Sequence, residues 1–98
     1  MASFITCIEL LYASEYDYEK LEALMKAALF YRTIQDPNTG IFYQLPPNLY
    51  HSNSRDDAAF VLQLAKAAAK KTKRNYRAIT IQSAGINFSG LEPVPAAG

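Results

Sequence analysis

A single histidine, His51, lies in the polar run Asn48 to Asn53, with Arg55 and Asp56 close by in sequence. An imidazole exchanges its proton near neutral pH, so this side chain could act as general acid or base in phosphodiester cleavage. No second base or orienting carboxylate accompanies it at fixed spacing, and an ordinary surface or capping histidine is the competing reading. A denser signal lies downstream, where Lys66, Lys70, Lys71, Lys73, Arg74 and Arg77 follow one another with Tyr76 among them. Clustered cations neutralise phosphates and an aromatic ring on an open sheet can stack a base, so these seven residues form the candidate nucleic-acid contact. A helix end carrying lysines for solubility and for the negative pole of its dipole is the bland alternative. Glu9, Asp56 and Asp57 are the carboxylates in reach of a magnesium role, which needs a close set of oxygen ligands. Glu9 stands alone at a strand end and the aspartates have capping work available, so no metal and no cofactor is expected. Cys7, the one cysteine, has no partner for an internal disulfide or a cysteine-based zinc site and reads as a packed small hydrophobe.

The elements that must carry these groups follow from pattern. Ser3 to Leu11 reads as a strand, with Phe4, Thr6, Ile8 and Leu10 on one side and Ile5 and Cys7 on the other. Ser14 and Asp17 have the spacing of a reciprocal cap, and Tyr18, Leu21, Leu24, Met25, Ala28 and Leu29 recur at helical steps, predicting a helix over about 14–28. Phe30 to Gln35 and Ile41 to Leu45 form a hairpin about the turn Asp36-Pro37-Asn38-Thr39-Gly40, with Tyr31 and Tyr43 facing each other. The stretch from Asn48 to Asn53 reads as a loop. Ser54 opens a second helix with Phe60, Val61, Leu64, Ala65 and Ala68 as its buried stripe. Tyr76 to Ser83 is the last strand, and Ile86 to Phe88 could pair briefly with an edge.

The order β-α-β-β-α-β leads to an α+β fold of the ferredoxin-like type, two helices on one face of an antiparallel sheet. One domain is expected over 1–91, followed by a flexible tail over 92–98. Ile5, Cys7, Tyr76 and Ala78 are assigned to the uncovered face and are too apolar for water, which implies a homodimer through that face or an edge strand. The chain has 98 residues, half of them apolar, enough for one core. Its formal charge of +1 is unevenly spread, because no acid occurs between Ala58 and Leu91. No apolar run approaches the roughly 20 residues that span a bilayer, and the N-terminus has no signal-peptide pattern. A reducing, cytoplasmic setting is therefore expected, with no membrane partner.

Five segments carry a resemblance: Phe4 to Leu10, Tyr31 to Gln35, Tyr43 to Pro46, Ala65 to Thr72 and Ser83 to Leu91. Over most of residues 3–91 the chain resembles small bacterial and prophage proteins grouped with the endoribonuclease antitoxins of type V toxin–antitoxin systems. The resemblance implies a ferredoxin-like fold, related in shape to small CRISPR-associated nucleases, and a sequence-selective cut in a toxin messenger RNA. It makes Arg32 the choice for stabilising the pentacovalent phosphate, beside His51 as proton donor or acceptor. Two functions follow. One is a small RNA-binding regulator acting on single-stranded RNA, an endoribonuclease where Arg32 and His51 cut. The other is a non-catalytic phage- or mobile-element-borne inhibitor that binds a host protein or defence complex, to which exposed tyrosines among the seven would contribute.

Overall fold

The computed structural model describes residues 1–95. Its elements are β1 (Ala2–Leu10), α1 (Glu15–Ala27), β2 (Thr33–Gln35), β3 (Phe42–Gln44), β4 (Leu49–Ser54), α2 (Ala58–Lys70) and β5 (Tyr76–Ser83). β1 is the middle strand of a three-stranded sheet ordered β4-β1-β5, antiparallel to both neighbours, and β2 and β3 form a separate two-stranded sheet. The fold is α+β and consistent with the ferredoxin-like type. The fourth sheet position is reduced to a single residue, Tyr31, which exchanges backbone hydrogen bonds with His51 (2.9 and 2.7 Å) at the outer edge of β4.

Alternation in β1 decides what is covered. Phe4, Thr6, Ile8 and Leu10 are buried beneath Leu21 and Met25 of α1 and Val61, Ala65, Ala68 and Ala69 of α2, so both helices lie on one face. Thr6 keeps its buried hydroxyl satisfied by sharing a 2.8 Å hydrogen bond with Thr80 across β5. α1 begins where its cap predicts: the Asp17 amide donates to Ser14 Oγ, and the Ser14 amide donates to Asp17 Oδ2 at 2.9 Å. It ends with the Phe30 amide on the Met25 carbonyl and the Leu29 amide on that of Lys26, a Schellman pattern. Leu29 occupies the left-handed position that glycine ordinarily fills, at φ +69°.

Several expectations need correcting. Leu49–Ser54 is a strand and not a loop; it pairs with β1 from Ala2↔Ser54 to Cys7↔Leu49. The N-cap of α2 is Asp57, whose Oδ1 accepts from the Phe60 amide at 2.9 Å, while Ser54 only braces the preceding turn through Asp56. Phe60 and Leu64 are exposed rather than part of the buried stripe, which is Val61, Ala65, Ala68 and Ala69. The hairpin forms about the expected turn but is three residues deep on each side, and Tyr43 stands opposite Ile34, not Tyr31. Residues 86–88 join no strand; Phe88 instead packs its ring 5.1 Å from that of Tyr43. The tail expected over 92–98 is anchored at its start, because the Gln44 amide donates to Glu92 and the Val94 amide to Phe42. Residues 96–98 lie outside the described residues. Among the described residues, no helix is long and apolar enough to cross a membrane.

Candidate functional site

The two chemical signals of the sequence fall at opposite ends of β1. Lys70 closes α2, Lys71 caps it, and Lys73 follows in a left-handed conformation at φ +63°. Between them Thr72 is buried, its hydroxyl donating to the Ala69 carbonyl at 2.7 Å and accepting from the Arg74 amide at 3.3 Å. That clasp turns the chain and holds its neighbours outward. Lys70, Lys71 and Lys73 are exposed, Lys66 is half-buried, and none of the four makes an ion pair among the described residues.

The two arginines of the run are engaged. Arg74 Nε donates to Asp17 Oδ2 at 3.0 Å, and Arg77 Nη1 donates to Glu9 Oε1 at 3.1 Å. The Ser14 amide, first of all, holds the Asp17 carboxyl below its ordinary value, and the Ser14 hydroxyl and the Arg74 charge add to this. Glu9 is thus half of an exposed ion pair. Among the described residues, no group of three or more His, Cys, Asp or Glu side chains comes together to hold a metal ion. Tyr76 is opposite Leu10 and packs against the core on the helix side. It is therefore not a stacking platform on the open face, contrary to its sequence assignment. Ala78 lies on the same covered side, and the open-face residues of β5 are Ile79 and Ile81, 57% and 56% exposed, opposite Cys7 and Ile5.

His51 is half-buried on β4. Its ring Nε2 shares a 2.7 Å hydrogen bond with Ser3 Oγ on β1, one pair diagonal to its own register partner Ile5. Burial lowers the imidazole pKa, which favours the neutral ring. The pair sits in a broad cleft of about 860 Å³ whose lining includes Tyr31, Thr33, Phe42 and Asn53, and no lysine, arginine, aspartate or glutamate. Such a wall offers hydroxyls, amides and rings to a ligand, and no charged side chain to hold a phosphate.

Arg32 lies elsewhere. Its guanidinium donates to the carbonyls of Leu45 (2.9 Å), Pro46 (2.8 Å) and Leu49, and stands 5.6 Å from the ring centre of Tyr50. Burial raises the Tyr50 phenol to about 12, with the Arg32 charge opposing. Tyr50 and His51 are successive strand residues and so point to opposite faces. Tyr50 enters the helix-covered core with Arg32 over it, whereas His51 opens into the cleft. Arg32 and His51 are not brought together on one reacting group. Ser3, which the sequence did not single out, is the side chain that His51 meets; the contact spans 48 residues and has no local signal. Comparison with protein-family models and with curated proteins finds no match to the chain.

Proposed function

We propose that the protein is a small cytoplasmic RNA-binding regulator that grips single-stranded RNA by its phosphates. The observation that carries this reading is the trio Lys70, Lys71 and Lys73, exposed at one end of the fold and without an ion-pair partner among the described residues. Arg74 and Arg77 flank the trio, and their own charges are offset by Asp17 and Glu9. The reading accords with the antitoxin-like segments and stops at binding, because Arg32 is occupied by three carbonyls and lies across the sheet from His51. Retention of short single-stranded RNA at rising salt tests it. Three phosphate contacts give a logarithmic slope of about −2, since each contact on a single strand contributes roughly −0.7. Changing Lys70, Lys71 and Lys73 together to Gln should flatten that slope while leaving the helix intact. RNA retention that ignores both salt and the triple change would overturn the proposal.

A second observation favours a protein partner as well. Half-buried Ile5 and Cys7 and exposed Ile79 and Ile81 make an apolar surface on the uncovered face. We propose that a second copy of the chain covers it. A host protein or defence complex captured on the same face would instead support the inhibitor reading.

A further inference from the structure

Five of the seven tyrosines have evident structural work. The Tyr18 hydroxyl donates to the Leu10 carbonyl and accepts from the Leu10 amide. Tyr31 bridges to His51 through its backbone and lines the cleft, Tyr43 packs on Phe88, Tyr50 lies in the core under Arg32, and Tyr76 packs against the core from β5. Tyr12 and Tyr16 are left over, 96% and 70% exposed. An aromatic ring held almost wholly in water is a large amphipathic contact surface with nothing on it.

The two residues belong to a segment fastened to the chain just after the lysines. The Leu11 amide, one residue before Tyr12, donates to the Asn75 carbonyl at 2.8 Å. Asp17, one residue after Tyr16, holds Arg74 at 3.0 Å. These two links fasten the β1–α1 connection and the first turn of α1 to Arg74 and Asn75, directly after Lys71 and Lys73 in the chain. Both carboxylates that pair with this run are matched by arginines, leaving the three lysines without an ion-pair partner among the described residues. Exposed aromatics in a segment fastened next to exposed lysines give the composition of a surface that tracks a single strand, rings taking bases and ammonium groups taking phosphates.

We infer that Tyr12 and Tyr16 are base-stacking residues of a single-stranded RNA site shared with Lys71 and Lys73. This rests on the RNA-binding reading above and gives it a ligand class: an unpaired strand with splayed bases rather than a duplex, whose bases are already stacked. Tyr12 also has a left-handed backbone, φ +52°, which glycine adopts without strain. Tyr12→Gly therefore separates structure from function, since it relaxes the backbone and removes the ring.

The test is fluorescence anisotropy with labelled oligoadenylate, free or annealed to its oligouridylate complement, at several salt concentrations. The unaltered protein should prefer the single strand. Tyr12→Leu and Tyr16→Leu should each weaken single-strand binding by about tenfold, the effect of losing one base–aromatic stack, and leave the salt slope unchanged. Tyr12→Gly should lose the same affinity while its melting temperature rises. Glu15→Gln, removing the remaining acid of that first turn, should tighten binding. Tyrosine variants that match the unaltered protein on both probes, with the lysine-dependent slope intact, would overturn the stacking site and leave the rings to a protein surface. Absence of salt-dependent binding by the unaltered protein would overturn the RNA reading itself.

Discussion

On the covered side of the sheet, Ile8 faces Ala78 and Leu10 faces Tyr76, with both helices closing over them. On the other side, Ile5 faces Ile81 and Cys7 faces Ile79, with more than half of each β5 isoleucine in water. Both faces are apolar at their centre, but the open face also carries the Glu9–Arg77 ion pair and the Ser3–His51 hydrogen bond, whereas the covered face holds the hydroxyl pair of Thr6 and Thr80. What separates them is that both helices close over the first, while Ile79 and Ile81 at the centre of the second stay exposed. An apolar strip with no cover among the described residues is the ground for the proposed second copy.

The largest test of that difference is Phe4→Ala. Phe4 is fully buried, so its truncation should cost about 3–5 kcal/mol, most of the stability of a domain this small. Ile5→Ala should cost far less in the isolated monomer; equal midpoints in urea would break the comparison. Arg32→Ala comes next, at roughly 2 kcal/mol, because backbone carbonyls lose a charged donor. The same change should move the Tyr50 phenol above its present value of about 12, because Arg32 holds it down; spectrophotometric titration reads this. Arg32→Lys should not restore either property, lacking the planar fork.

A smaller effect is expected from pH. The folded pKa of His51 lies below its ordinary 6.5, so in the window between them the unfolded chain binds more protons than the folded one. Stability should be fully present above 6.5 and fall as pH drops through that window. His51→Asn should remove this dependence from thermal melts without touching the acid loss below the carboxylate range, where Asp17 titrates. The smallest effect on folding is expected of Ile5→Glu, which should leave the helical circular dichroism unchanged and convert a dimer to a monomer. Light scattering that finds the unaltered protein monomeric at high micromolar concentration would remove the proposed dimer.

Local signals made β1, α1 with its cap, the Asp36–Gly40 turn and β5 legible in the sequence. β4 was not, because its inward positions are Tyr50 and Ser52 and its other residues are mostly small and polar, so no apolar alternation announces a strand. Reading that stretch as a loop also pulled the start of α2 forward to Ser54. The face of Tyr76 was misjudged for a related reason: alternation says which residues of a strand go together, and only the pairing Leu10↔Tyr76 says which set meets the helices. In the candidate site the lysines were evident from composition. The partners of Arg74 and Arg77 were not, standing 57 and 68 residues away in sequence.

Arg32 has a consequence for how the chain comes apart. The polypeptide leaves the main sheet after Tyr31 and returns at Leu49, and one guanidinium spans the exit and the re-entry. The excursion between them is also tied along β3 to residues 92–94. Hairpin and C-terminal segment therefore share their fastenings and belong to one sub-global opening unit, distinct from the β4-β1-β5 core in amide exchange. Because the fastening lies at the base, the tip at Pro37–Thr39 bears little of the load, and it is there that the chain can lengthen or shorten over generations without disturbing the sheet.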